Sequence, residues 1–159
     1  MTEKFRGRYS IKLDSKGRMA WPTRIRESMG TRTKLVVTNG LYKGQPFLDV
    51  YTQKKWEALE EKLDTMSEFR PEVQAYKRFY LASGTPVEID SQGRILLPYD
   101  LRQFAHAKSD IVVVGMGDRI EIWDQSNWNK VFNSFKKDFD SVIASLSASL
   151  DDAEKKEKK

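Results

Sequence analysis

Between Arg8 and Leu13 the chain alternates. Tyr9, Ile11 and Leu13 are apolar, while Arg8, Ser10 and Lys12 are polar. A period of two predicts a strand with one buried face. "DSKG" at 14–17 interrupts it as a turn: Asp14 can accept backbone N–H groups two residues on, and Gly17 can adopt a positive φ. A short strand through "RMAW" follows, then Pro22 and the helical "TRIRESM", which Gly30 stops. "KLVVT" and "FLDVY" read as a β-hairpin, with "LYKGQPF" as loop sequence. Trp56, Leu59, Leu63 and Met66 stand at helical spacing over about 53–66. "RPEVQAYKRFYLASG" predicts a second helix, opened by Pro71 and closed at Gly84.

The pattern then repeats. "DSQGRILLP" at 90–98 answers "DSKGRMAWP" at 14–22, aligning Asp14 with Asp90, Gly17 with Gly93, Arg18 with Arg94, Pro22 with Pro98 and Arg26 with Arg102. "LVV" at 35–37 meets "IVV" at 111–113, and "LDVY" at 48–51 meets "IEIW" at 120–123 after a longer first hairpin loop. Two copies are too few for a solenoid and imply a pseudo-symmetric pair. Beyond them, Trp128, Val131, Phe132, Phe135, Phe139, Val142, Ile143 and Leu146 stripe one long helix, with Asp124 as its expected N-cap. The expected organisation is a first β unit over 5–52, connecting helices over 53–81, a second β unit over 82–124 and a C-terminal helix over 125–148. The tail at 149–159, "SLDDAEKKEKK", is expected to be disordered.

Charge changes this picture more than composition does. The net charge is +5, but ten basic residues against Asp14 and Glu27 give +8 across residues 4–34, whereas residues 82–159 carry −2. Such asymmetry points to an anionic partner, nucleic acid or a membrane surface. A basic stretch that alternates like a strand does not suit an interfacial amphipathic helix. The apolar runs are short, so no membrane span is expected. "MTEKFRGRYS" has no apolar core and predicts no secretory signal. With no cysteine, disulfides and thiolate metal sites are excluded, which fits a cytoplasmic protein. One histidine, His106, is expected at the surface end of a short helix. With no Gly-rich phosphate loop, Cys or His cluster, the chain reads as a non-enzyme without metal or cofactor.

The segments "FRGRYSIKLDSKGRMAWP", "FRPEVQAYKRFYLASG", "VEIDSQGRILLPYDLRQFAHA" and "DIVVVGMGDRIEIWDQSNWN" resemble the MraZ family, bacterial transcriptional regulators of the division and cell-wall gene cluster. The resemblance runs from about Phe5 to Trp128. It implies an α+β fold: a tandem pair of AbrB-type swapped-hairpin β units forming a pseudo-symmetric, β-barrel-like core flanked by helices. It also implies ring-shaped homo-oligomers that bind tandem G-rich repeats in double-stranded DNA upstream of their own operon, in the nucleoid. In the family the basic first strand and first turn are implicated in DNA contact, positions held here by Arg8, Lys12, Lys16 and Arg18.

Comparing the copies separates scaffold from interface. Lys12 aligns with Glu88, Lys16 with Gln92 and Arg24 with Asp100, while Arg6 and Arg8 align with Ala82 and Gly84. The second copy keeps the turn and loses the cations. Asp14, Gly17, Asp90, Gly93 and Arg94 are therefore expected to shape the turns. Arg6, Arg8, Lys12, Lys16, Arg18 and Arg24 are the expected nucleic-acid-binding residues. Arg18 can serve either role, pairing with Asp14 or projecting to a phosphate or a guanine edge. Arg24 and Arg26 diverge on a short helix, so only one of them is expected to face DNA. An AbrB-like antitoxin and an RNA-binding module are the alternatives. The first usually carries one such unit and a toxin-binding tail. The second usually stacks bases on exposed aromatics, which the face of Arg6, Arg8 and Lys12 lacks.

Overall fold

The alternation at the start of the chain becomes β1 (Arg8–Lys12), and the first turn leads into β2 (Arg18–Ala20) and α1 (Thr23–Ser28). The computed structural model describes residues 4–158. β3 (Lys34–Tyr42) and β4 (Gln45–Thr52) complete the first repeat. They run deeper into "LYKGQPF" than the apolar pattern implies, because Lys43 and Gly44 both take positive φ, 48° and 79°. That is the two-residue turn whose twist matches a hairpin, so the strands pair right up to it. α2 (Gln53–Asp64) and α3 (Pro71–Tyr76) follow, and α3 widens into a π-helical stretch over Lys77–Leu81. The second repeat gives β5 (Thr85–Glu88), β6 (Arg94–Leu96), α4 (Tyr99–Phe104), β7 (Asp110–Gly115) and β8 (Ile120–Asp124). His106, at the exposed end of α4, takes φ 55°, as Gly30 takes 64° after α1.

The chain divides into two compact units, one ending at Gln125 and the other beginning at Ser126. In the first, six antiparallel strands lie in the order β1-β7-β8-β4-β3-β5, and β2 pairs with β6 as a separate ribbon. The leading strand of each repeat leaves its own hairpin: β1 pairs with β7 and β5 pairs with β3. β4 and β8 join the two hairpins at the centre. With β1 and β5 at its edges the sheet is open, so the barrel-like closure is not found. Both repeats build one core. Leu13, Met19, Trp21, Ile25, Leu35 and Val37 are buried in it, as are their aligned mates Ile89, Ile95, Leu97, Leu101, Ile111 and Val113. Burying each such side chain contributes roughly 1.5–3 kcal/mol. A smaller cluster of Val36, Trp56 and Tyr80 seats α2 and the π-helical stretch on β3.

The second unit is the rest of α5 (Gln125–Glu157). The helix passes residue 149 and continues to Glu157, where the composition had predicted a disordered tail. Asp151 and Asp152 precede Lys155 and Lys156 by four residues, a spacing that supports a helix, and no Gly or Pro stops it.

A polar group crosses the centre of the sheet. Asp49 on β4 and Glu121 on β8 stand directly opposite one another, both buried. Arg119 bridges them, its Nε donating to Asp49 Oδ1 at 3.1 Å and its Nη2 to Glu121 Oε2 at 3.3 Å. Tyr80 Oη donates to Asp49 Oδ2 at 2.6 Å, and Trp123 Nε1 to Glu121 Oε1 at 2.9 Å. Burial pushes both carboxyls above their ordinary values despite these donors. Tyr80→Phe should therefore destabilise the protein by about 1–3 kcal/mol at neutral pH, since a buried carboxylate loses its donor. An acid already raised in the fold is protonated first there, so the loss should shrink as pH falls. Urea unfolding of both proteins across a pH series measures it.

Candidate nucleic-acid interface

The two Asp-x-x-Gly-Arg segments form the same turn. Asp14 Oδ1 accepts the backbone N–H groups of Lys16 and Arg18, each at 2.9 Å. Asp90 Oδ1 accepts those of Gln92 and Arg94 at the same distance. Gly17 and Gly93 take φ of +87° and +75°. Each also lies beneath an arginine of the other repeat. A Cβ on Gly17 would fall 2.5 Å from the Arg102 guanidinium, and one on Gly93 would fall 2.0 Å from Arg26. Arg26 thus braces the second turn, and Arg24 is the member of that pair on the first repeat's basic surface. This bracing role was missed in the sequence, although the alignment of Arg26 with Arg102 carried its signal.

On the β2–β6 ribbon Met19 and Ile95 point inward, both 1% exposed. The opposite face of the ribbon carries Arg18 and Ala20 from one strand and Arg94 and Leu96 from the other. The sequence places the two arginines 76 positions apart; the pairing brings them onto one face. They are held differently. Arg18 Nε donates to Asp14 Oδ2 at 3.0 Å, and its Nη groups make no hydrogen bond among the described residues. Arg94 lies 3.9 Å from Asp90, too far to donate to it, and bonds through Nη2 to Gln92 Oε1 instead. The residue two places before each arginine decides this. Gln92 offers an acceptor; Lys16, its counterpart, offers only a second positive charge.

The remaining candidates fall into two groups. Arg6 and Arg24 line a shallow recess of about 240 Å³ with Lys4, Gly7, Tyr9, Ile25 and Ser28. Tyr9 Oη donates to the Arg6 carbonyl at 2.9 Å and helps hold this segment. Arg8 and Lys12 occupy exposed positions of β1, on the face opposite Tyr9 and Ile11. Lys12 pairs with Asp110, its register partner on β7. Both side chains are largely exposed, so the pair is worth ~0–1 kcal/mol and a phosphate can replace the acid. At the corresponding place in the other half, Glu88 faces Lys34 across β5 and β3. The same cross-strand position carries the opposite arrangement of charge.

Backbone N–H groups, those of Arg18 and Arg94 first, hold the Asp14 and Asp90 carboxyls below 3.8; the Arg18 guanidinium adds to both effects. An acid with a lowered folded value stabilises the fold above the ordinary carboxylate range and loses that contribution as pH falls through the folded value. Asp14→Asn keeps an acceptor for the N–H groups and loses the charge. It should be less stable than the parent protein at neutral pH, and the gap should close as the solution is acidified. Urea midpoints from neutral to strongly acidic pH check this.

The chain matches the sequence profile of the MraZ proteins, described as antitoxin-like, over residues 4–79 and 81–150. It is 38% identical over 142 residues to a protein of Carboxydothermus hydrogenoformans named transcriptional regulator MraZ, covering 89% of this chain and 96% of that one. A Desulfitobacterium hafniense protein of the same name is 39% identical over 146 residues, covering 92% and 96%. One from Moorella thermoacetica is 37% identical over 142 residues, covering 89% and 96%. Two Asp-x-x-Gly-Arg turns braced across a shared ribbon thus accompany a match along most of the sequence: the chain belongs to the MraZ family.

Proposed function

We propose that this protein is a sequence-specific DNA-binding transcriptional regulator, acting in the cytoplasm at the nucleoid as a repressor of its own division and cell-wall gene cluster. In this reading a ring-forming homo-oligomer of AbrB-type swapped-hairpin units binds tandem G-rich promoter repeats in double-stranded DNA. The observation that carries it is Arg18: a guanidinium fixed at Nε by Asp14, its Nη pair uncommitted among the described residues, on a ribbon face beside Lys16. A two-stranded ribbon fits the major groove, and an arginine fork fits guanine O6 and N7. The names of the relatives and the charge of +8 across residues 4–34 support the same partner.

The roles then divide. Arg18 reads base edges. Lys12, Lys16 and Arg8 neutralise phosphates, and Arg6 and Arg24 hold a further phosphate at their recess. Asp14, Gly17, Asp90 and Gly93 keep the turns in shape, and Arg94 serves its own turn. Multiple copies in one assembly engage tandem repeats together, which raises avidity by ~10²–10⁴. No helix among the described residues is long and apolar enough to cross a membrane.

Arg18→Ala should cost ~1–3 kcal/mol per site on the upstream repeats while leaving circular dichroism and oligomer mass unchanged. Lys16→Ala should weaken binding to all sequences alike. It should also flatten log K against log salt by ~0.9, since one phosphate is no longer neutralised. Arg94→Ala should retain binding and show its effect as lower stability. Gel-shift titration of the three variants on specific and scrambled duplexes separates these outcomes. Normal specific binding by Arg18→Ala, with none by a folded Arg94→Ala, would transfer the DNA face to the second repeat.

A further inference from the structure

We propose that Leu96 is a specificity-determining residue of the DNA interface, its methyl groups packing on the C5-methyl of a thymine beside the guanine that Arg18 reads. This rests on the proposed function and adds a second base contact to it. Leu96 stands directly opposite Arg18 in the β2–β6 ribbon. The Leu97 N–H donates to the Gly17 carbonyl at 2.8 Å and the Trp21 N–H to the Gly93 carbonyl at 2.9 Å, so the bonds run between positions 17 and 97 and between 21 and 93. Bonded and unbonded pairs alternate along an antiparallel ladder. Arg18 and Leu96 therefore form an unbonded pair, the class whose side chains stand closest, with Cβ atoms about 4.5–5.5 Å apart. Successive bases lie about 3.4 Å apart along a strand. Two side chains this close reach adjoining base pairs.

The outward face of the ribbon is not symmetric. It holds two cross-strand pairs, Arg18 with Leu96 and Ala20 with Arg94. Beside Arg94, which is bonded to Gln92, stands the small Ala20. Beside Arg18, whose Nη groups are uncommitted among the described residues, stands Leu96, 56% exposed. Leu96 aligns with Ala20 between the repeats, so the extra aliphatic bulk comes from the second repeat and lies next to the arginine of the first. A leucine has no donor for a phosphate and none for a base edge. What the major groove offers it is the thymine methyl, the apolar group on a base edge there. Guanine O6 and N7 for the fork and a neighbouring methyl for the leucine make one step of two base pairs read jointly. A repeat otherwise given to architecture thus contributes an uncharged readout group.

Deoxyuridine lacks only the C5-methyl and pairs with adenine as thymine does. Full-length protein is titrated in gel shifts against duplexes carrying the repeats upstream of its gene, the same duplexes with deoxyuridine at each thymine next to a guanine, and a scrambled duplex. The parent protein should bind the deoxyuridine repeats about fourfold more weakly for each site, the effect of one methyl-sized group withdrawn from contact. Leu96→Ala should bind both duplexes alike, at the parent's deoxyuridine level. Leu96→Met, which keeps the apolar reach, should restore most of the discrimination. Circular dichroism and sedimentation mass should stay unchanged in both variants, since Leu96 is exposed. Equal binding of both duplexes by the parent protein, or undiminished discrimination in Leu96→Ala, would overturn the proposal. So would a changed mass in Leu96→Ala, which would place the side chain in a contact between copies. If Arg18→Ala still loses the repeats in those cases, base reading by the ribbon stands and only the role of Leu96 falls. If the parent protein does not prefer the repeats to the scrambled duplex, the DNA reading itself falls.

Discussion

Each turn glycine carries the other repeat. The Trp21 N–H donates to the Gly93 carbonyl at 2.9 Å, and the Leu97 N–H donates to the Gly17 carbonyl at 2.8 Å. Above each glycine lies an arginine from the opposite copy, Arg102 over Gly17 and Arg26 over Gly93. A side chain at either glycine would meet both a backbone with positive φ and a guanidinium already in place. These paired contacts hold the β2–β6 ribbon in register. The ribbon in turn places Met19 and Ile95 in the core and directs Arg18 and Arg94 outward. Exchange of the leading strands follows the same logic: β1 and β5 each complete the neighbour's hairpin. Neither repeat has a closed core of its own, because the aligned apolar positions of both fill one interior.

On this near-symmetric frame, polarity is written by a few side chains that do not alter the backbone. Lys12 faces Asp110 where Glu88 faces Lys34, so the acid and the base exchange strands between the halves. Lys12 pairs with Asp110, whereas the Glu88 carboxylate accepts the Thr33 hydroxyl at 3.0 Å. The surfaces differ: the leading strand of the first repeat presents a cation and that of the second an anion. Lys16 and Gln92 act likewise. An amide draws the Arg94 guanidinium down onto its own turn, while an ammonium cannot accept a hydrogen bond and leaves Arg18 to Asp14. The two turns thus differ by substitutions that leave the backbone hydrogen bonds to Asp14 and Asp90 in place and change only how each arginine is held.

Local structure was legible because it is written locally. The period-two stretch at Arg8–Lys12, the turn glycines and the helix stop at Gly30 each follow from residues within one or two turns of chain. The repeat added the equivalence of the copies, and charge comparison added the basic surface. What was not legible depends on distant pairing. Nothing in the alternation of β1 says that its partner is β7, some hundred residues on. The buried Asp49, Glu121 and Arg119 group was hidden for the same reason, although Asp49 and Glu121 align between the repeats inside apolar strands. Two acids at equivalent positions near a pseudo-two-fold meet each other, and a cation must then lie between them. The length of α5 was misjudged because composition weighed its lack of apolar residues and not the four-residue spacing of acids and lysines.

Duplication did not double the cationic turn. A chain with two identical turns would present two equivalent arginines, but Gln92 commits one of them, and its repeat carries Glu88 and Asp100 where the first carries Lys12 and Arg24. The second repeat is spent on architecture: it supplies the partner strand of β1, the arginine that covers Gly17 and half of the core. One chain therefore offers one cationic turn. A single such surface neutralises few phosphates, and its affinity falls steeply with salt. On the proposed function, occupying several neighbouring DNA sites would come from joining chains, not from the repeat within one. The exposed apolar stripe of α5 belongs to a different unit from the one that contains both turns, and it takes no part in the hydrogen bonds that hold the ribbon.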